Sequence, residues 1–231
     1  MRQQDIQMLR KRAFTYKRKH RLIELIQRKT NWNDYQISEV IKCRRQLILA
    51  NSGKHRRNGD PASSHQQYIQ TSLLSDGWTE DYLMSALSWS HDMKDDERET
   101  YDYYLDKYQY TPQMVFDINC MSRNPEWDDL SFRDEVAESD RTIRSGGIRT
   151  MVVKISDRSD NLLRPLKITP ESRRRKSGMK LWQTIHSINE MARDIDYAHD
   201  LLTWLSNREL KRLGYTVAEL DRLVLQPLKN P

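Results

Sequence analysis

The chain has 231 residues, of which 37% are hydrophobic and 31% are charged, with seven glycines and seven prolines. This composition is too polar for a protein made of membrane spans and too poor in glycine and proline for a fibrous or low-complexity chain. The net charge of +6 is unevenly distributed: residues 1–60 hold 16 Lys and Arg against 5 Asp and Glu, a net charge of +11, and the rest carries −5. The basic excess therefore belongs to the N-terminal end.

Apolar residues recur at spacings of three and four along almost the whole chain, which predicts an all-α protein. The predicted helices, in chain order, cover 3–29, 35–52, 63–75, 79–94, 97–108, 111–122, 131–143, 147–165, 170–206 and 208–226. Asn31, Asn33 and Asp34 break the first helix and are candidate caps for the second. Residues 151–155, Met-Val-Val-Lys-Ile, have the β-branching of a short strand, but a lone strand without a partner is not expected.

Cys43 and Cys120 lie far apart, and neither has a second thiol near it in sequence. A disulfide framework and a four-thiolate zinc site are therefore both excluded. The N-terminus is charged from Arg2 onward, and no stretch reaches the roughly 18 apolar residues of a membrane span. We expect a cytoplasmic protein with no membrane partner.

A cluster of acidic residues follows a histidine in the segment His91-Asp92-Met93-Lys94-Asp95-Asp96. On a helix, His91 and Asp95 share one stripe, and Asp92 and Asp96 share the adjoining stripe. An imidazole and a carboxylate are ligands for a metal ion, and the next turn keeps two more carboxylates within reach of a bound water. The alternative is a solvated acidic helix face.

Two further segments carry chemistry-bearing residues at regular spacing. Arg56-Arg57-Asn58-Gly59-Asp60-Pro61 leads to His65, and Val153-Lys154-Ile155-Ser156-Asp157-Arg158-Ser159-Asp160-Asn161 follows a hydrophobic run. Each segment has a plain alternative, in which His65 is an exposed helix residue and Asp157 and Asp160 are caps or partners of Arg158.

The order and spacing of the three segments resemble the HD-superfamily hydrolase domain of RelA/SpoT-type enzymes, including the stand-alone small alarmone hydrolases. That family has Arg-Lys-x-Gly-Glu-Pro, three residues and His, then His-Asp-x-x-Glu-Asp, then Val-Lys-hydrophobic-Ala-Asp-Arg-x-x-Asn. The chain departs from these patterns at Ala62-Ser63-Ser64, which replaces an aromatic-aliphatic trio, at Gln66 for proline, at Asp95 for glutamate and at Ser156 for alanine.

The resemblance implies an HD-domain helical bundle with a central metal site. It covers about residues 40–205, so we predict a basic helical extension over 1–40, the hydrolase domain over 41–206 and a C-terminal helical segment over 207–231. The implied metal is Mn²⁺ or another divalent cation, which a mixed nitrogen and oxygen site suits. The implied ligands are His65, His91, Asp92 and Asp157.

The resemblance also implies roles for residues beside the metal. Asp95 and Asp96 match the pair that activates the water and transfers protons. Two carboxylates so close together tend to leave one of them with a raised pKa, which suits a general acid. The substrate-binding residues would be Arg56 and Arg57 at the guanine base, Lys154 and Arg158 at the phosphates, and Asn161 at the ribose or phosphate edge.

The activity that the resemblance implies is hydrolysis of the 3′-pyrophosphate of guanosine tetra- or pentaphosphate to pyrophosphate and GDP or GTP. One alternative is an HD phosphohydrolase for another nucleotide that carries a 3′- or 2′-phosphate. A second alternative is a non-catalytic regulatory HD protein whose basic N-terminus binds RNA or ribosomes, because a positive arm is attracted to phosphate.

Overall fold

The computed structural model describes residues 21–55, 61–91, 107–163 and 170–225. The helices there are α1 (Arg21–Lys29), α2 (Asp34–Ala50), α3 (Ser64–Ser75), α4 (Tyr82–Ser90), α5 (Pro112–Met121), α6 (Phe132–Ser145), α7 (Ile148–Leu163), α8 (Glu171–Gln183), α9 (Asn189–Asp194), α10 (His199–Leu213) and α11 (Val217–Leu225). Within these ranges the one β-type pairing is an isolated bridge between His55 and Pro61. The all-α prediction is confirmed, and residues 151–155 are helical.

The chain divides into two compact units, Met1–Ser122 and Arg123–Pro231. The three segments predicted from sequence, with limits after residues 40 and 206, stay a prediction. None of the helices in the described ranges is long and apolar enough to cross a bilayer. Cys43 and Cys120 are both buried, and neither forms a disulfide bond.

In the first unit, α2 begins with a reciprocal cap. The side chain of Asn33 accepts a hydrogen bond from the backbone N–H of Gln36, and the Gln36 side chain accepts one from the backbone N–H of Asn33. This pairing satisfies two N–H groups that have no partner inside a helix. Of the three candidate caps predicted from sequence, Asn33 is the one that caps the helix.

Helices α3 and α4 are joined by a buried polar network. The Gln70 side-chain amide donates to Ser85 Oγ over 2.6 Å, and its carbonyl oxygen accepts from the indole N–H of Trp89. All three side chains are buried. Because buried polar groups need their partners, this network fixes how α3 lies against α4.

In the second unit, α7 packs against α6, α9 and α10. The core consists of buried apolar side chains from α6 to α11, among them Ile155, Leu181, Ile188, Leu202, Leu205 and Leu220. The functional segment 153–161 is therefore part of a helix that lies within this core, which holds its backbone in place.

The helix predicted over 170–206 is interrupted twice in the structure. A π-helical turn, Thr184–Ile188, follows α8, and after α9 the residues Asp196 and Ala198 have positive φ angles of 52° and 55° before α10 begins. The sequence has no glycine or proline between Gly178 and Gly214, so the usual break signals are missing there. Gly214, at φ 68°, then ends α10 in the left-handed conformation that glycine favours.

Candidate metal centre

His65 lies in the first turn of α3, and its side chain is buried. Its exposed fraction is 6%, and its neighbours Ser64 and Gln66 are buried as well. The alternative in which His65 is an ordinary exposed helix residue is therefore wrong. A buried imidazole in a first helical turn is held by packing and has few rotamers to choose from.

His91 directly follows the last residue of α4, and its orientation is set by the main chain of that helix. Its Nδ1 lies 3.1 Å from the carbonyl oxygen of Ser88, and its backbone N–H bonds to the carbonyl oxygen of Leu87. A carbonyl oxygen accepts only, so Nδ1 carries the proton. The lone pair for a metal is then on Nε2, an arrangement typical of metal-binding histidines.

The two imidazoles lie side by side. Their ring centroids are 5.7 Å apart with planes inclined by 64°, and His91 is only 3% exposed. The N-terminal end of α3 carries one ring and the C-terminal end of α4 the other, so the antiparallel packing fixed by Gln70 and Trp89 brings them together. Two buried imidazoles at this spacing can share one cation.

Asp157 lies in the middle of α7, and two residues of the same helix contact its carboxylate. Oδ1 accepts a hydrogen bond of 2.7 Å from the side-chain amide of Asn161, and Oδ2 lies 3.8 Å from the ammonium nitrogen of Lys154. These residues stand one turn after and one turn before Asp157, which places all three on one stripe of α7. The carboxylate is thus held rather than free to rotate.

His65, His91 and Asp157 are buried side chains of the types that bind metal ions. The two imidazoles belong to the first unit and the Asp157 carboxylate belongs to the second. Two neutral imidazoles and one carboxylate form a mixed nitrogen and oxygen donor set, which suits Mn²⁺ and several other divalent ions. The residues present therefore fit the predicted kind of cofactor, although they do not distinguish one such ion from another.

Arg158 adds a buried positive charge directly after Asp157 in α7. Its Nη2 donates to the side-chain carbonyl of Gln183 over 2.9 Å. Burial lowers the pKa of the guanidinium, and the charge of Asp157 acts in the opposite direction. The predicted phosphate contacts of Lys154 and Arg158 stay predictions.

The remaining predicted site residues lie outside the described residues. They are the metal ligand Asp92, the catalytic pair Asp95 and Asp96, and the substrate-binding Arg56 and Arg57. Of the four predicted ligands, the described residues include His65, His91 and Asp157, and the structure brings His65 and His91 together. For the acidic segment after His91, the choice between a catalytic pair and a solvated face stays open.

Sequence reasoning missed the residues that orient the ligands. Ser88 acts through its main-chain carbonyl, for which no side-chain pattern exists. The sequence spacing could have predicted the bond from Asn161 to Asp157, because an amide four residues after a carboxylate on a helix can reach it.

Comparisons of the chain with models of protein families and with curated proteins find no match.

Proposed function

We propose that the chain is a metal-dependent phosphohydrolase that removes the 3′-pyrophosphate of guanosine tetra- or pentaphosphate. The observation that carries this proposal is the buried pair of imidazoles, His65 and His91, whose ring centroids lie 5.7 Å apart. His65, His91 and the proposed third ligand, Asp157, each come from a different one of the three motifs that resemble the alarmone hydrolases. Asp92, which follows His91 in sequence, would complete the set.

The ligand residues hold and orient a divalent cation, which when bound lowers the pKa of a water and stabilises negative charge on phosphoryl oxygens. His91 binds through Nε2, because its Nδ1 is committed to Ser88. Asp157 supplies a carboxylate whose negative charge offsets part of the charge of the cation. No serine or cysteine nucleophile is required in this scheme.

The proposed reaction is addition of water to the phosphorus bonded to the ribose 3′-oxygen. A bond forms between the water oxygen and this phosphorus, and the bond from phosphorus to the 3′-oxygen breaks. The electron pair stays on the 3′-oxygen, which takes up a proton, and the products are pyrophosphate and GDP or GTP. Asp95 and Asp96 are the proposed groups that accept the proton of water and return one to the leaving oxygen.

Substrate binding in this proposal depends on the cations around the site. The Lys154 ammonium lies beside Asp157 and is the proposed contact to phosphate oxygens. Arg158 adds a buried charge on the same helix, and buried cations stabilise anions more strongly than exposed ones because water screens them less. Arg56 and Arg57 are the proposed contacts to guanine, which a guanidinium can stack on and hydrogen-bond.

The direct test incubates the protein and Mn²⁺ with guanosine tetraphosphate and separates the products by chromatography. We expect GDP and pyrophosphate, with GTP, which lacks a 3′-phosphate, left intact. Nucleotides with a single 3′- or 2′-phosphate are assayed in parallel, and turnover of one of these alone would replace the proposed substrate. Mn²⁺ binding without turnover of any of them would contradict the proposed enzyme and favour a regulatory protein.

A further inference from the structure

We propose that Asn161 is a positioning residue that orients the Asp157 carboxylate and so raises the affinity of the site for a metal before any nucleotide binds. This inference rests on the proposed metal site and deepens it. The family resemblance implies only a substrate contact for Asn161, whereas the structure gives its amide a different partner.

The contact that carries the inference is short and local. The Asn161 amide nitrogen lies 2.7 Å from Asp157 Oδ1, at the short end of the range for hydrogen bonds from nitrogen to oxygen. Both residues are in α7, so the length and direction of the contact are set by the helix itself. A hydrogen bond to one oxygen fixes the plane of the carboxylate, which is what a metal ligand needs in order to bind in one geometry.

Lys154 is the reason why the orientation of the Asp157 carboxylate affects metal binding. Its ammonium nitrogen is 3.8 Å from the other carboxylate oxygen, and a cation there competes with a metal for the same negative charge. The amide on Oδ1 opposes a rotation of the carboxylate towards the ammonium. Loss of Asn161 should therefore weaken metal binding in the absence of substrate.

Helix α5 offers a matched control for the same kind of bond. The side-chain amide of Gln113 donates to Asp117 Oδ1 over 2.8 Å, with the two residues again one turn apart. Asp117 is not one of the proposed metal ligands. Gln113→Leu removes an amide–carboxylate bond from a helix, as Asn161→Leu does, but away from the ligands.

The experiment titrates metal-free full-length protein with Mn²⁺ and follows the free ion by electron paramagnetic resonance, with no nucleotide present. We expect Asn161→Leu to weaken Mn²⁺ binding by about 10- to 100-fold, the usual effect of losing a partner of a metal ligand. Gln113→Leu should bind Mn²⁺ as the unchanged chain does. Asn161→Gln keeps an amide donor, and Gln113 shows that glutamine can bond to a carboxylate one turn away, so this variant should recover part of the loss.

An unchanged Mn²⁺ affinity in Asn161→Leu would overturn the inference, and a raised KM for nucleotide in that variant would then assign Asn161 to the substrate. If Asn161→Leu fails to fold, Asn161→Ser is compared with Asn161→Gln. Equal Mn²⁺ affinities of these two would also overturn it, since serine lacks the reach of the amide. Asp157→Ala is measured beside them, because retained Mn²⁺ binding there would reject the proposed metal site itself rather than only the role of Asn161.

Discussion

The imidazole of His91 is tied through its Nδ1 to the carbonyl oxygen of Ser88, 3.1 Å away and one turn earlier in the chain. Asp157 is tied in the same way to Asn161, one turn later in its own helix. Two of the three candidate ligands are thus oriented by the helix that carries them. Local bonds of this kind hold each donor atom in one orientation even when the cation is absent.

The first prediction concerns the ligands themselves. Replacing His65, His91 or Asp157 with Ala should abolish tight Mn²⁺ binding and turnover of guanosine tetraphosphate, because a site that loses a ligand loses both affinity and geometry. Bound metal is measured by elemental analysis after dialysis, and turnover by product chromatography.

His186→Ala is the control for the loss of an imidazole, because His186 lies beside Asp221 and is not part of the candidate group. It should keep both metal and activity. Full metal content and activity in Asp157→Ala would contradict the assignment of the site.

The second prediction separates metal binding from proton transfer. Asp96→Asn should keep the metal and lower kcat by about a hundredfold or more, the usual contribution of a general acid or base. Asp95→Asn should have a smaller effect on kcat. Rates that are unchanged in both variants would mean that the two carboxylates form only a solvated helix face.

The third prediction concerns the network between α3 and α4. Gln70→Leu should lower the free energy of unfolding by about 1–3 kcal/mol, because it leaves the buried Trp89 indole N–H without its acceptor. The same variant should weaken Mn²⁺ binding, since the network fixes the ends that carry His65 and His91. Urea unfolding and a Mn²⁺ titration measure the two effects.

Gln67→Leu, at a half-buried position of α3, is the control and should leave Mn²⁺ affinity unchanged. Equal losses of Mn²⁺ affinity in both variants would contradict the role of the network.

The fourth prediction is a pH dependence that comes from a buried thiol. Burial raises the pKa of Cys43 from its ordinary value of 9.0 to about 11, although hydrogen bonds with Ser90 and Tyr110 lower it and offset part of this rise. The fold favours the neutral thiol, so its contribution to stability is complete below pH 9 and is lost as the pH rises towards 11.

We therefore expect the free energy of unfolding to fall between pH 9 and pH 11, and to fall less in Cys43→Ala. Alkylation of the native protein at pH 8 should leave Cys43 unmodified, because a buried neutral thiol is a poor nucleophile. Rapid alkylation of Cys43 at pH 8 under native conditions would contradict both its burial and its raised pKa.

The helices and the candidate ligands differ in how far sequence could predict them. Spacing predicted the helical class, and residue type narrowed the cap of α2 to Asn31, Asn33 or Asp34, since both depend on local chemistry. It missed the break between α9 and α10, because Asp196 and Ala198 adopt positive φ angles that tertiary packing imposes without glycine. His65 and Asp157 were predicted through motif order, whereas the approach of the His65 ring to that of His91 depends on packing between α3 and α4 that no local pattern contains.

The last prediction concerns the basic N-terminal end. Residues 1–20 hold seven Lys and Arg against one acidic residue, and α1 follows with Ile26, which is 1% exposed and belongs to the helix that packs against α3. Deleting 1–20 should weaken RNA binding with a shallower salt dependence, because fewer phosphates are neutralised. Deleting 1–30 should also lower the free energy of unfolding by about 2 kcal/mol, the usual contribution of one buried isoleucine.

Filter binding over a salt series measures the effect on RNA binding, and urea unfolding measures the effect on stability. A full-length chain without affinity for RNA at low salt would contradict the predicted RNA binding. Equal unfolding midpoints for the two deletions would contradict the predicted contribution of α1 to stability.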